Sequence, residues 1–268
     1  GTDTMAALAL ARDYYNESYA GFSIPATEHS IMTAGGPDGE ADIVRRILAA
    51  NPTGLVAMVI DSYDTFGFIK NVIGGNADIK QSILSRNGTV VFRPDSGQLP
   101  LIDVKVFQAL AKVFGTSNNS KGYEVLPPQV RIIQGDGIKW THDGQYHTVS
   151  DILNKFEALD ISADNIAFGS GGGLLQEFTR DTQRFAIKCS WMQVNGQGRD
   201  IFKQPKTDST KNSKRGRLAV VNDFRMGIST IPEHALTLPS NNLLRTVFED
   251  GFMFNERSLK EIRQRAEL

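Results

Sequence analysis

The chain has 268 residues, of which 40% are apolar and 22% charged. That is enough chain to bury a sizeable core in two domains at most, or in one large α/β barrel, and the composition excludes collagen, a disordered tail and a coiled coil. The 29 basic residues nearly cancel the 30 acidic ones, leaving a net charge of -1, which argues against a nucleic-acid binder built on phosphate contacts. The single cysteine, Cys189, can form neither an internal disulfide nor a four-cysteine zinc site; it points to a reducing compartment, read as the cytoplasm. No apolar run reaches the roughly 18 residues of a membrane span.

The chain opens on Gly1-Thr2-Asp3-Thr4 and enters a helical pattern at once, from Thr4 to Tyr15, with Ala and Leu at helical spacing. A start at the edge of a helix, with no initiator methionine, is what the C-terminal part of a longer polypeptide would show. Further on, apolar β-rich runs each end in a small polar cluster. Leu55 to Ile60 precedes Asp61-Ser62-Tyr63-Asp64, and Thr89 to Phe92 precedes Arg93-Pro94-Asp95-Ser96-Gly97. Val130 to Ile133 precedes Gln134-Gly135-Asp136-Gly137, and Asn165 to Phe168 precedes Gly169-Ser170-Gly171-Gly172-Gly173. Helical patterns follow at Tyr63 to Val72, Leu101 to Val113, Val149 to Leu159 and Leu174 to Thr179, and Ser258 can cap a last helix from Leu259 to Leu268.

Strand, polar turn and helix in repetition predict βαβ units on a parallel sheet. Chemical clusters at several strand ends favour a barrel, whose active sites lie on that face; an open doubly wound sheet is the alternative. Gly115 to Pro128 reads as a long loop, and the Lys/Arg-rich, apolar-poor stretch Gln197 to Arg217 as a mobile basic loop.

The glycine run after Phe168 would let backbone N–H groups close around an anion at the start of the next helix; the alternative is a flexible turn. Asp61, Asp64, Asp95 and Asp136 fall where strands should end, where carboxylates can hold ribose hydroxyls or a magnesium ion that in turn holds a diphosphate. A lone aspartate there is more often a helix cap, the stronger reading for Asp64. Downstream cations, among them Arg180, Arg184, Lys188, Lys203, Lys206, Lys211 and Lys214, suit a polyphosphate or, for Lys206, Lys214 and Arg215, a solvated loop. His142, His147 and His234 lack metal-ligand spacing and read as surface residues. His29 stands apart, beside Glu28 and after the rigid Pro25, since a carboxylate partner fixes a histidine tautomer. Cys189 reads as a core residue. The residues by themselves suggest a barrel-like enzyme acting on a phosphorylated sugar.

The ordered set Gly1-Thr2-Asp3-Thr4, Ser23-Ile24-Pro25-Ala26-Thr27-Glu28-His29-Ser30, Asp61-Ser62-Tyr63-Asp64, Arg93-Pro94-Asp95-Ser96-Gly97, Gln134-Gly135-Asp136-Gly137, Phe168 to Gly173 and Thr179-Arg180-Asp181 resembles the nicotinamide phosphoribosyltransferases, of the type II phosphoribosyltransferase family. The resemblance runs the length of the chain. It implies an irregular β/α barrel over residues 1–185, with residues 186–268 giving a basic loop, a β-rich segment and a C-terminal helix to part of a second α/β domain. The family's N-terminal region, which completes that domain and supplies an aromatic and an arginine to the site, has no counterpart in this sequence.

The resemblance implies transfer of phosphoribosyl from phosphoribosyl pyrophosphate to nicotinamide, with magnesium, in a homodimer with shared active sites. His29 matches the histidine that ATP phosphorylates, with Asp64 near it as an orienting group. Arg93 and Asp95 would line the nicotinamide-ribose site, and Gly135 and Asp136 would hold ribose hydroxyls. Gly171 and Gly172 would present N–H groups to the 5′-phosphate. Arg180 and Lys188 would grip phosphate from the neighbouring subunit, and Lys203 and Lys211 match lysines near ATP or diphosphate. Asp3 would accept from the nicotinamide carboxamide and repel nicotinate. Ile60 and Ala186 depart from the family, which carries hydroxyls there. Two alternatives stay open: a nicotinate phosphoribosyltransferase, and a non-catalytic phosphate-binding fragment that needs its N-terminal half.

Overall fold

The computed structural model describes residues 5–18, 20, 24–138, 148–169, 186–224 and 226–266. The predicted helix Leu174 to Thr179 lies outside them. The chain divides into two units, one of Gly1–Cys189 with Ile201–Lys214, the other of Ser190–Asp200 with Arg215–Leu268.

The first unit is α/β. After α1 (Met5–Tyr15), α2 (His29–Met32) and α3 (Glu40–Ala50) comes β1 (Thr53–Val59), then α4 (Thr65–Gly67), which runs on as a π-helical turn (Phe68–Ile73). There follow α5 (Ala77–Ser85), β2 (Asn87–Arg93) and α6 (Leu101–Phe114), then a small hairpin of β3 (Ser117–Asn118) and β4 (Glu124–Val125). The last elements are β5 (Val130–Gln134), α7 (Thr148–Glu157) and β6 (Ile166–Phe168).

The main sheet has the order β1-β2-β5-β6, all parallel. Neighbours in the sheet are therefore successive parallel strands of the chain, with no reversal of order. Each crossover turns the same way, as in a β/α barrel and unlike a doubly wound sheet, where the order reverses at a switch point. The described strands form an arc of that architecture. Parallel strands sit between layers and are buried on both faces; β1 accordingly is buried without alternation from Val56 to Val59. Val56, Val90 and Val130 lie in register, as do Met58, Phe92 and Ile132. Phe92 packs near Phe114 and Phe107 near Phe156, joining β2 to α6 and α6 to α7. At the start of the sheet a Cβ on Gly88 would lie 2.1 Å from the Gly54 carbonyl oxygen, so only glycine allows β1 and β2 to begin side by side.

The four predicted strands stand. The structure adds α3 and α5, which no predicted element covered. It also resolves the stretch Gly115 to Pro128 into the hairpin, and ends the helix at Phe114 with Gly115 at φ 79°. Cys189, read as a core residue, is exposed. The supposed mobile loop Gln197 to Arg217 is corrected too: its first residues pair as a strand, and residues 201–214 are tied down by hydrogen bonds and ion pairs described below.

The second unit contains antiparallel pairs: β7 (Trp191–Val194) with β8 (Gln197–Asp200), β9 (Leu218–Asp223) with β10 (Gly227–Pro232), and β11 (Phe248–Glu249) with β12 (Phe252–Met253). Arg217 lies over the Trp191 ring and pairs with Glu233. It closes on α8 (Leu259–Ala266), where Ser258 and Glu261 form a reciprocal capping box. Among the described residues no helix is long and apolar enough to cross a membrane.

Asp103, in the first turn of α6, is fully buried, and neither carboxyl oxygen has a hydrogen-bond partner among the described residues. Burial pushes it up to about 7. Glu40 is also pushed up to about 7, by burial and then by the charge of Asp64. The folded protein thus keeps protons that the unfolded chain releases near pH 4, so these groups make stability fall as pH rises from about 4 to about 7. Asp103→Asn is expected to flatten that fall and to stabilise the protein at neutral pH, by about 4 kcal/mol at most. Urea denaturation of both proteins from pH 5 to 8 checks it; parallel pH dependences would refute the assignment.

Candidate active site

Three aspartates share one register. Asp61, Asp95 and Asp136 each lie two residues beyond the last residue of a strand, respectively Val59, Arg93 and Gln134. Because these strands are adjacent and parallel, the three carboxylates gather on one rim, at the C-terminal ends. The ladder continues past the strands: Ile60 N–H donates to the Arg93 carbonyl (3.1 Å) and Gly169 N–H to the Gln134 carbonyl (2.9 Å).

His29 reaches this rim along the edge of β1. Thr27 N–H donates to the Ala57 carbonyl, Ala57 N–H to the Pro25 carbonyl, and Val59 N–H to the Thr27 hydroxyl. The segment thus runs parallel to β1 and releases His29 where the strand ends. The ring is buried, with Nε2 2.8 Å from Asp61 Oδ1 and Nδ1 3.9 Å from Asp95 Oδ2. Asp61 has no exposed surface, and its other oxygen lies 3.2 Å from the Lys203 ammonium, itself buried and 3.8 Å from Asp95. Burial pushes the Asp61 carboxyl up, but the His29 hydrogen bond, the Lys203 charge and a Ser96 hydrogen bond outweigh it and hold the group at about 2. An ionised carboxylate only accepts, so the histidine nitrogen facing Asp61 carries a proton, and in the neutral ring the lone pair lies on the other nitrogen.

The basic residues 203–213 form a closed loop across the rim. Its ends clasp: Lys203 N–H donates to the Ser213 hydroxyl and Ser213 N–H to the Lys203 carbonyl. Lys206 pairs with Asp64 at 2.5 Å. Lys211 donates to the Asp95 carbonyl oxygen and to Asp136, and although burial works against its charge, the Asp136 hydrogen bond raises its pKa. Asp208 caps the turn that carries Lys211, accepting from the Thr210 N–H and hydroxyl.

The other expected residues fall as follows. Asp64, expected as a helix cap from its position and near His29 from the resemblance, caps α4, accepting from Gly67 N–H; a Cβ on Gly67 would lie 2.8 Å from the Asp64 carboxyl carbon. The carboxylate that touches His29 is Asp61, three residues earlier. Glu28, the sequence neighbour of His29, pairs with Arg93, which also donates to the Thr27 carbonyl. Gly135 faces open space. Lys188 borders a cavity of about 240 Å³ together with His29, Lys203 and Cys189 of its own chain. Asp3, Gly171, Gly172, Arg180, His142 and His147 lie outside the described residues, and His234 is exposed. Asp61, read from the sequence as a strand-end carboxylate, gains from the structure its place against His29. Lys206, read as a phosphate or solvated-loop residue, instead pairs with Asp64, and Ser96 and Thr207, which no sequence signal marked, meet through their hydroxyls beside the site.

His29, Asp61 and Asp95 each bring a ligand atom within 4.8 Å of the others. Magnesium takes oxygen donors and shares its shell with substrate phosphates. Asp61 is committed to His29 and Lys203, whereas Asp95 is about a third exposed, at 36% of its side chain. The donor set fits a magnesium ion only as one that arrives with phosphate and meets Asp95.

The pattern of the Nicotinate phosphoribosyltransferase (NAPRTase) family matches residues 1–252. The chain belongs to that family. The whole rim and the basic loop fall within the NAPRTase match. The chain is also similar to proteins named nicotinamide phosphoribosyltransferase. That of Xanthomonas campestris pv. campestris (strain 8004) is 42% identical over 275 residues, covering 100% of this chain and 56% of the relative. That of Acinetobacter baylyi is 36% identical over 287 residues, covering 99% of this chain and 55% of the relative. That of Mycoplasma pneumoniae is 33% identical over 208 residues, covering 73% and 44%. The chain spans about half the length of these curated relatives.

Asp61→Ala strands a buried ammonium and removes the acceptor from His29. Breaking a buried pair by deleting one partner costs about 3–5 kcal/mol. Urea denaturation at pH 7 is expected to show a loss of that size; a loss below 1 kcal/mol would mean that Lys203 does not need Asp61.

Proposed function

We propose that the complete protein transfers the phosphoribosyl group from phosphoribosyl pyrophosphate to nicotinamide, giving nicotinamide mononucleotide and diphosphate in NAD salvage. Family membership and the names of the relatives support the reaction class. The observation that carries the site assignment is the buried His29–Asp61–Lys203 arrangement beside Asp95.

In this reading ATP drives the reaction through His29. The nitrogen turned from Asp61 uses its lone pair to attack the γ-phosphorus. An N–P bond forms, the bond from that phosphorus to the β,γ-bridging oxygen breaks, and ADP leaves with the electron pair. Asp61 stabilises the positive charge left on the ring, as a carboxylate does for any imidazolium it holds. At the ribose, the C–O bond to diphosphate breaks as the nicotinamide nitrogen forms its bond to the same carbon. Asp95 faces the positive charge that develops there, while Asp136 and the open backbone at Gly135 receive the hydroxyls. Lys203, Lys211 and Lys188 meet the phosphates, and Arg93 borders the base. Magnesium, carried by diphosphate and met by Asp95, would neutralise the leaving group.

Gly171, Gly172 and Arg180 are assigned to phosphate on the family resemblance. Asp3 is assigned on the same ground to the base, where a like charge at about 4 Å costs on the order of 4 kcal/mol at an effective dielectric of 20. The reading also takes the protein as a cytoplasmic homodimer with shared sites.

The full-length protein, given phosphoribosyl pyrophosphate, magnesium, ATP and either base, is expected to form the mononucleotide of nicotinamide, read by mass spectrometry. Product from nicotinate alone would overturn the base assignment, and no product from either would overturn the reaction. His29→Ala is expected to abolish stimulation by ATP; a variant that ATP still activates would refute the phosphohistidine step. Asp3→Ala is expected to relax the preference for nicotinamide at least about tenfold, which a third of that cost already supplies, and an unchanged ratio of rates with the two bases would remove Asp3 from that role.

A further inference from the structure

The 203–213 loop brings two lysines to the proposed diphosphate region, yet its tip holds residues of a different kind. Lys206 and Thr207, whose side chains meet Asp64 and Ser96, grip the rim. Lys206 N–H donates to the Tyr63 carbonyl (2.9 Å) and Gln204 N–H to the Ser62 carbonyl (2.8 Å), so residues 204–206 lie along the turn after β1. The Lys206 ammonium meets Asp64 Oδ2, while Asp64 Oδ1 takes the Gly67 N–H; one carboxylate thereby fastens both the loop and the start of α4. One residue further, the Thr207 hydroxyl lies 2.5 Å from the Ser96 hydroxyl, in the turn after β2. Lys211 then reaches the turns after β2 and β5.

We propose that Lys206 and Thr207 are positioning residues: they seat the loop on the turns after β1 and β2, so that Lys203 and Lys211 meet the diphosphate group of the substrate in one fixed geometry. This rests on the function proposed above. The clasp between Lys203 and Ser213 fixes the base of the loop, and the Gln204 and Lys206 N–H groups tie its first residues to the turn after β1. Between the clasp and Lys211, the Asp64 and Ser96 contacts are the side-chain anchors. Lysine side chains are rich in rotamers, and ordering them on an anion costs affinity unless the backbone already aims them. Because the anchors touch neither substrate nor reacting atoms, their loss acts on binding and on loop order rather than on the chemical step.

The test compares Thr207→Val, which removes the hydroxyl at constant shape, with Thr207→Ser, which keeps it, and Lys206→Met with Lys206→Arg, all in the full-length protein. Three quantities are measured: hydrogen exchange of the 203–213 amides, the Kd of inorganic diphosphate by calorimetry, and kcat and KM for phosphoribosyl pyrophosphate. Thr207→Val is expected to speed exchange within the loop alone, and to raise the diphosphate Kd and the KM about fivefold, the share of one net hydrogen bond, with kcat little changed. Thr207→Ser is expected to restore all three. Lys206→Met should act in the same direction but less, since an exposed ion pair is weaker, and Lys206→Arg should be near wild type.

Wild-type exchange and wild-type diphosphate affinity in both Thr207→Val and Lys206→Met would overturn the proposal. So would a wild-type protein that binds no diphosphate, or a Thr207→Val protein whose exchange rises throughout the fold. If the wild type binds diphosphate, and the anchors control that binding, but no mononucleotide forms, the positioning role stands and the proposed reaction falls.

Discussion

A carboxylate with no exposed surface constrains this site more than any other group. Asp61 is withdrawn from water, where an ionised carboxyl is stable only if its charge is met at close range. It is met twice, by the ring of His29 and by the ammonium of Lys203. Those partners come from chain segments far apart in sequence. Each must be held firmly, because a drift of either would leave a buried charge uncompensated. The pair therefore ties together the segment before α2, the end of β1 and the basic loop, and their mutual position sets the distance from His29 to Asp95.

The scaffold meets that demand with ordinary parallel-sheet geometry. Strands in register place residues of equal offset on a common rim, which is why Asp61, Asp95 and Asp136 gather without any special backbone. The Pro25–Thr27 segment uses the open edge of β1 as a guide, satisfying edge N–H and carbonyl groups that would otherwise be unpaired. Close backbone approach at Gly54 and Gly88 belongs to the opposite end of the same strands. Packing needs and chemical needs are thus separated along each strand, as in barrels whose turns at one end carry function and at the other stability.

What could be read from the sequence divides along the same line. The strands were legible because apolar, β-branched runs bounded by polar clusters report themselves locally. The helix α3 was not, because it follows Gly35-Gly36-Pro37-Asp38-Gly39, a run that signals a turn, and begins after Gly39 with no side-chain cap. Helix α5 likewise begins after Asn76 with no side-chain capping bond. In the candidate site, spacing alone could not choose between Asp61 and Asp64, which share one polar cluster; the choice is made by burial, since one turns inward and the other caps a helix. The basic loop looked mobile because it is poor in apolar residues. Its order comes from partners at sequence separations of 142, 111 and 75 residues, which no local window contains.

The charges on the rim carry a consequence for ligand binding. Among the described residues Lys203, Lys206 and Lys211 stand against Asp61, Asp64, Asp95 and Asp136, so each of the three loop lysines already has a carboxylate to neutralise. A polyphosphate entering such a site would meet cations that are shared, not free. Its binding must either draw a lysine from its carboxylate or bring a cation of its own. Lys203 is the least able to move, since it is buried and its departure would strand Asp61. Of the two lysines assigned to the diphosphate, Lys211, about a third exposed and bonded to Asp136, is the one whose side chain can turn while the loop backbone stays seated. The same turn would release Asp136 for ribose hydroxyls, so in the proposed reaction phosphate capture and ribose capture become one event, with Asp95 left to meet the accompanying metal ion.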